Sequence, residues 1–187
     1  MIIRIISLLA VLLFPLSLTA AEYVIDPQHS HIRFSGMHAG EEFEGIFQQW
    51  NGKLEFDPEN LEESNFRVGI DTSTAHTGTK LYDATLLGAD WFDVKQHPKA
   101  VFVTQSITHK ESHHYDVKGV LSIRNIAKPV IFSFTLTPEM LASGKVDTTA
   151  RLSVKRLDFD IGKDPDPKAE WVENDIALEL KIVAMRK

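Results

Sequence analysis

Residues 115–136 read YDVKGVLSIRNIAKPVIFSFTL, and their apolar side chains recur at every second position. The first series is Tyr115, Val117, Gly119, Leu121 and Ile123, and the second is Val130, Phe132, Phe134 and Leu136. Because successive side chains on a strand point to opposite faces, each series predicts a strand with one apolar face. The short connection at 124–126 predicts that the two strands form a hairpin.

The same alternation recurs along the rest of the chain. It is clearest near the C-terminus, at Ile176, Leu178, Leu180, Ile182 and Ala184. Strands are predicted at 23–26, 31–37, 43–50, 52–56, 66–71, 100–108, 115–123, 127–136, 145–154 and 175–185. Between 77 and 92 the apolar residues follow a helical spacing instead, which predicts one short helix.

These elements predict an all-β protein built as one extended antiparallel β-barrel with a single short helix. Closure of the sheet removes the edges that long strands would otherwise present to other chains. The helix would then cap or line one mouth of the barrel. The fold leaves open what fills the interior.

Residues 1–21 have the pattern of a cleavable signal peptide. Arg4 supplies a positive start, the apolar run 5–14 is too short to span a bilayer comfortably, and small residues follow at 19–21. We therefore expect a leader at 1–21, one folded domain at 22–187 and export to the periplasm.

Composition narrows the classes of function. The formal net charge is -6, which argues against nucleic acid as a partner and against docking on anionic membranes. The chain has no cysteine, so disulfides, thiolate metal sites and a lipid-modified cysteine are excluded. A soluble exported protein without stable membrane insertion fits both observations.

Five motifs resemble those of the YceI-like family in order and spacing. They are HSHIRF at 29–34, FEGIFQQWNGKLEFDP at 43–58, GADWFDVKQHPKAVF at 88–102, YDVKGVLSIRNIAKPV at 115–130 and VKRLDFDIG at 154–162. The resemblance implies a lipocalin-like barrel whose lumen holds a polyisoprenoid or similar long-chain lipid. It covers residues from about 23 to the C-terminus.

The inward-facing apolar residues are the candidate ligand-binding residues of the lumen. They are Phe34, Val68, Phe102, Leu121, Phe132, Phe134, Leu152 and Leu178. A tunnel lined by them would bind a lipid tail by removing its surface from water, at about 25 cal/mol per Å². Alternation alone favours a solidly packed barrel instead, whereas the resemblance implies a bound lipid.

Three residues are candidates for contact with a polar head group. Arg156 matches an arginine of the family and could bind a phosphate or carboxylate through two hydrogen bonds, or form an ion pair with Asp158 or Asp160. His29, next to Ser30, could donate a hydrogen bond to a head group or tie the first strand to its neighbour.

The third head-group candidate, Asp83, lies where the chain departs from the family. Relatives usually have Arg-Asp, any residue, then His-Leu at the start of the helix, and here Tyr82, Asp83, Ala84, Thr85 and Leu86 occupy those positions. Because the two basic residues are replaced, we expect a ligand with a different or less anionic head.

Metal and catalytic sites are not expected. His29 and His31 would share a face if both lay on a strand, but no third ligand has a diagnostic spacing. No nucleophile turn, phosphate-binding loop or dinucleotide fingerprint occurs, so we predict no enzymatic activity and no cofactor.

The sequence therefore predicts a periplasmic carrier that sequesters a long-chain lipid or isoprenoid. Two alternatives remain: an interaction or stress-response module with a packed barrel, and a metal-binding protein that uses His29 and His31. A homodimer is possible, although no residue pattern identifies an interface.

Overall fold

The computed structural model describes residues 20–187. Most of the predicted signal peptide lies outside this range, so the leader at 1–21 stays a prediction. No helix within residues 20–187 is both long and apolar enough to cross a membrane.

The described residues form eleven strands and two α-helices. The strands are β1 (Ala21–Ile25), β2 (His31–His38), β3 (Glu41–Phe47), β4 (Trp50–Phe56), β5 (Asn65–Asp71), β6 (Ala75–His76), β7 (Lys99–His109), β8 (His114–Ile123), β9 (Ile126–Thr135), β10 (Lys145–Lys155) and β11 (Asp175–Arg186). The helices are α1 (Lys80–Leu87) and α2 (Pro138–Ser143).

The strands form a closed antiparallel barrel with eight positions around its wall. Three positions are each filled by two short strands in succession, namely β1 with β2, β3 with β4 and β5 with β6. The other five are β7 to β11. All neighbours in the wall are antiparallel, and each position follows its sequence neighbour around the barrel.

The last strand closes the barrel. One edge of β11 pairs with β10 from Asp175 to Met185. Its other edge pairs first with β2, where Leu180 is opposite Ile32, and then with β1, where Ala184 is opposite Ile25. By contrast, β9 and β10 share only one ladder pair, Arg151 with Ser133, between their described residues.

The predicted all-β barrel is confirmed, with differences at the helices and strand ends. The helix predicted at 77–92 is shorter, because the chain turns at Gly88 and continues in tight turns to the start of β7. The run predicted as one strand at 43–50 ends at Phe47, and a new strand starts at Trp50.

The second helix, α2, was not predicted. Thr137 accepts a hydrogen bond from the N–H of Met140, Pro138 occupies the first turn, and Gly144 ends the helix with a φ of 70°. These are ordinary helix start and stop signals, so α2 could have been predicted from the sequence TPEMLASG at 137–144.

The middle of the barrel is filled by rings that pack on glycines. The ring of Phe102 occupies the space where a side chain at Gly119 on the neighbouring strand would lie. The ring of Phe34 fills the same kind of space at Gly45. Glycine at these positions lets a large ring lie flat against the wall.

The Gly119→Ala substitution should therefore destabilise the barrel by about 2 kcal/mol. Its methyl group would overlap the Phe102 ring and lie 2.6 Å from the carbonyl oxygen of Val103, which is backbone and cannot move aside. Urea unfolding measures the change.

The matched control is Gly69→Ala in β5, where the nearest atom is Oδ1 of the Asn51 side chain at 3.2 Å. This substitution should change the free energy of unfolding by less than about 1 kcal/mol. Equal losses in the two variants would contradict the proposed packing.

Candidate ligand-binding site

The interior of the barrel contains two apolar cavities, each of about 80 Å³. The outer cavity, next to α1, includes among its lining residues Phe34, Phe43, Phe47, Ile70, Leu86, Trp91, Leu121, Val154, Arg156, Ile176 and Leu178. The inner cavity is lined by Tyr23, Leu54, Phe56, Phe66, Phe132, Phe134, Leu136, Val146, Thr148, Ala150, Leu180, Ile182 and Ala184.

A belt of packed side chains lies between the two cavities. Val68 stands between Phe66 of the inner cavity and Ile70 of the outer one. Leu152 likewise stands between Ala150 and Val154. The ring of Phe102 packs 5.3 Å from that of Phe132, and Ile32 is almost fully buried.

The eight predicted lumen residues are thus divided among three places. Phe34, Leu121 and Leu178 line the outer cavity, and Phe132 and Phe134 line the inner cavity. Val68, Phe102 and Leu152 form the belt together with Ile32. The predicted single tunnel is therefore, in this structure, two cavities with a packed layer between them.

A third cavity, of about 290 Å³, opens at the end of the barrel beside α1. We call it the mouth. It shares Phe43, Leu86, Trp91 and Val172 with the outer cavity, so these side chains form the partition between the two. The mouth therefore lies directly between the surface and the apolar interior.

Polar side chains from two elements meet at the mouth. His38, at the end of β2, lies with its Nδ1 3.1 Å from the hydroxyl oxygen of Tyr82 on α1. The two rings meet edge to face, with centroids 5.4 Å apart. Thr77 and Thr85 complete the polar part of the lining. The mouth thus offers hydrogen-bonding side chains, and its lining among the described residues includes no Lys, Arg, Asp or Glu.

Sequence reasoning named Tyr82 as a departure from the family but did not find its partner. His38 lies 44 residues away along the chain, and no local pattern connects the two. They meet because β2 runs towards the end of the barrel that α1 covers.

Asp83 lies on α1 and bonds to Thr77, a residue of the mouth lining, but does not itself line the mouth. Its carboxylate accepts hydrogen bonds from the N–H and hydroxyl of Thr77, at 2.6 and 2.7 Å, and lies 2.7 Å from Nδ1 of His76. The two bonds from Thr77 lower the pKa of this carboxyl group, and His76 contributes a smaller effect in the same direction. In this structure Asp83 fixes the approach of the chain to α1.

Arg156 lies in the wall of the outer cavity, with its side chain 2 % exposed. Its guanidinium group forms a salt bridge of 2.6 Å with the equally buried Asp166, rather than with Asp158 or Asp160. Its remaining N–H groups donate to backbone carbonyls of Ile161, Gly162, Val172 and Glu173. A ligand head group could reach this arginine only by displacing one of these acceptors.

Asp166 is held as a carboxylate by its surroundings. Burial raises the pKa of this group, but hydrogen bonds from the N–H groups of Val172, Glu170 and Trp171, together with the charge of Arg156, lower it further than burial raises it. The resulting pKa lies below the ordinary value of 3.8. The pair fixes the long connection between β10 and β11, which forms one side of the mouth.

His29 and His31 do not share a strand face. His29 lies in the exposed turn before β2, where its Nδ1 is 2.7 Å from Asp26. His31 begins β2, and its Nε2 is 3.4 Å from Glu179. Across residues 20–187, no group of three or more histidine, aspartate or glutamate side chains is arranged to hold a metal ion.

The Asp166→Asn variant should lose about 3 kcal/mol of stability at neutral pH, because Arg156 would remain buried without a countercharge. The loss should shrink as the pH falls. Since the folded-state pKa of Asp166 is lowered, its carboxylate stabilises the fold above pH 3.8, and this contribution disappears as the pH drops towards the folded-state pKa.

Urea unfolding of both proteins, at neutral pH and in steps below pH 3.8, tests this expectation. Asp164→Asn is the matched control, since Asp164 is an exposed carboxylate in the same connection. A difference between wild type and Asp166→Asn that stays constant with pH would contradict the assignment.

Residues 23–184 match the model of the YceI-like domain, which covers nearly all of the described chain. A UPF0312 protein of Ectopseudomonas mendocina (strain ymp) is 30% identical over 172 residues, which cover 86% of this chain and 87% of that protein. Protein YceI of Salmonella arizonae is 31% identical over 182 residues, which cover 91% of this chain and 93% of that protein.

Solved structures show the same barrel. The structure of Burkholderia cenocepacia BcnA superposes with a TM-score of 0.80 at 25% identity, and covers 87% of this chain and 100% of that one. A polyisoprenoid-binding domain from Saccharophagus degradans, implicated in plant cell wall breakdown, has a TM-score of 0.66 at 11% identity, with coverage of 90% and 99%. At that identity the second likeness concerns the fold alone.

Proposed function

Because the chain belongs to the YceI-like family, we propose that it is a binding protein that carries a long-chain amphiphile, such as a polyisoprenoid, inside its barrel. The observation that carries this proposal is the apolar outer cavity directly behind the mouth, with four side chains shared between the two linings. The polyisoprenoid-binding domain of Saccharophagus degradans, which shares the fold, supports the same class of ligand.

The driving force is burial of the tail. Each methylene that leaves water for the apolar lining contributes about 0.8 kcal/mol, and no catalytic group is needed. A chain that reaches as far as the belt therefore gains affinity with every carbon atom it places in the outer cavity. The lining of that cavity includes the rings of Phe34, Phe43, Phe47 and Trp91.

A long tail must also rearrange the interior. Each interior cavity measures only about 80 Å³, and the belt separates them. Movement of the Phe102 and Phe34 rings off their glycines would enlarge the space without moving the wall. The bound state thus exchanges contacts between side chains for contacts with the ligand.

The head group remains at the mouth and is uncharged. His38 and Tyr82 supply a donor and an acceptor there, while Arg156, the arginine of the outer cavity, is occupied by Asp166. An alcohol, a quinone or an ester would match these partners better than a phosphate, which favours several positive charges.

The periplasm is the proposed compartment, and this part of the proposal rests on the signal peptide predicted at 1–21. The role is sequestration or transfer of the lipid through an aqueous compartment, without catalysis. The net charge of -6 supports a carrier that is not retained by anionic membranes or nucleic acid.

Native mass spectrometry of protein purified without detergent or a histidine tag tests the proposal directly. We expect a bound species that organic extraction releases as an isoprenoid or acyl lipid. If the protein is free of ligand and takes up neither isoprenoids nor fatty acids when these are offered, the proposal is wrong and the packed interaction module is supported.

The uncharged head group can be tested by restoring the residues usual in the family. The double variant Tyr82→Arg/Thr85→His should bind farnesyl diphosphate about tenfold more tightly than wild type, because a charge-assisted hydrogen bond contributes roughly 1.5–3 kcal/mol. Binding of farnesol, which has the same tail, should change much less. Competition with a fluorescent lipid measures both affinities.

Tyr82→Phe provides the complementary variant, since it removes only the hydroxyl group that lies against His38. It should weaken farnesol binding by about fivefold, in line with one neutral hydrogen bond of about 1 kcal/mol. If neither variant alters the preference between alcohol and diphosphate, the head group does not lie at this mouth.

A further inference from the structure

The barrel wall contains a recess that is separate from the mouth. This lateral groove of about 900 Å³ lies between β1–β2 on one side and β3–β4 on the other. Its apolar lining includes Tyr23, Ile25, Phe47 and Trp50, and its polar lining includes Glu22, Gln28, His31 and Gln49. It therefore combines a polar rim with an apolar floor.

The groove exists because a ladder is interrupted. On one side of it, β1 and β4 are paired up to Tyr23 opposite Leu54. On the other side, pairing resumes with Ile32 of β2 opposite Phe47 of β3. The described residues 24–31 and 48–53 form no ladder with each other, so the wall is open over this length.

One side of the groove, formed by the turn at 26–30, is hydrogen-bonded to β11. The N–H of Asp26 donates to the carbonyl oxygen of Val183 at 2.8 Å. The hydroxyl of Ser30 donates to the same carbonyl at 3.2 Å and accepts from the N–H of Val183 at 2.9 Å. These bonds hold the turn at 26–30 on the far side of the opening.

The other side of the groove, at residues 48–49, is hydrogen-bonded to residues 71–74 instead. The N–H groups of Gln48 and Gln49 donate to the carbonyl and hydroxyl oxygens of Thr74, at 3.2 and 3.0 Å. The carbonyl of Gln49 accepts from the N–H of Asp71 at 3.0 Å. The two sides of the groove are therefore hydrogen-bonded to different neighbours. This pattern of hydrogen bonds keeps them from pairing with each other.

The groove borders both interior cavities. Tyr23 lines the groove and the inner cavity, while Phe47 lines the groove and the outer cavity. Ile25 and Trp50 are partly buried and pack against the core. Gly52 gives Ile25 room, since a Cβ at that position would lie 2.7 Å from the end of the Ile25 side chain.

We propose that the lateral groove is a second ligand-access site, distinct from the mouth, through which the apolar tail of an amphiphile enters and leaves the inner cavity without crossing the belt. Ile25 and Trp50 are the side chains that must move to admit it. This inference rests on the proposed function, because it assigns a route to the same ligand.

The three tryptophans allow the route to be followed. Trp50 lines the groove, Trp91 lines the mouth and the outer cavity, and Trp171 is exposed. The variant Trp91→Phe/Trp171→Phe reports on Trp50 alone, and Trp50→Phe/Trp171→Phe reports on Trp91 alone. Each is mixed rapidly with a long-chain alcohol that carries bromine, a fluorescence quencher, at the far end of its chain.

Entry through the groove should quench Trp50 before Trp91. Quenching of Trp91 first, with Trp50 later or unaffected, would overturn the lateral route and leave the carrier function intact. Absence of bound alcohol in both proteins, checked by native mass spectrometry of the same samples, would overturn the carrier function and this inference together. The two failures are thus distinguishable.

A cross-link across one end of the groove provides an independent test. Val24 and Lys53 are exposed and follow directly on the last pair, Tyr23 with Leu54, so a disulfide in Val24→Cys/Lys53→Cys would extend the ladder into the opening. The chain has no other cysteine to compete. The oxidised variant should release the brominated alcohol about one order of magnitude more slowly, and a reductant should restore the rate.

The matched control uses the same β4 residue, Lys53, and links it to β5, with which β4 forms a ladder. Lys53 is opposite Arg67 in β5, so Lys53→Cys/Arg67→Cys forms its disulfide within an existing ladder. This variant should exchange ligand at the wild-type rate. Equal rates in the two oxidised variants, with both cross-links verified by mass, would contradict a lateral route.

Discussion

The barrel depends on β11 and its two edges. One edge follows β10 without interruption, whereas the other must pair with two strands in succession, β2 and then β1. The chain between those strands bends at 26–30 and is tied to Val183, the residue of β11 that lies between the two ladders. Closure of the sheet therefore requires a bend, and the bend opens the wall next to it.

The interior of the barrel is filled by packed rings at its centre and contains cavities on either side of them. Phenylalanine rings that lie on Gly45 and Gly119 fill the centre well enough to support a stable fold without disulfides. The same rings leave apolar space on both sides of the belt rather than one continuous channel. A protein interior with this arrangement can accept a chain-like ligand by moving side chains, while its hydrogen-bonded wall stays in place.

Most of the fold could be predicted because strand periodicity is a local property. The alternation at 115–136 and 176–184 gave the strands nearly to their ends, and the helical spacing after 77 gave α1. The interruption at Gln48 and Gln49 could not be found in this way, because it is accompanied by bonds to Thr74, in the short 3-10 turn between β5 and β6.

The site was less predictable, since its contacts join distant parts of the chain. The resemblance pointed to Arg156, but the choice of Asp166 over the nearer Asp158 and Asp160 depends on how the connection at 156–174 folds back. His38 and Tyr82 meet only in the closed barrel. All eight predicted lumen residues face inward. Their division into two cavities and a belt depends on how side chains from different strands pack together.

The strand that closes the barrel is also the last one made. All other neighbouring positions of the wall are consecutive in the sequence, so their pairing does not depend on the last strand. Before residues 175–186 are available, however, the outer edges of β1 and β10 have no partner, and such edges are templates for aggregation. Those edges are covered only once β11 pairs with β10 on one side and with β1 and β2 on the other.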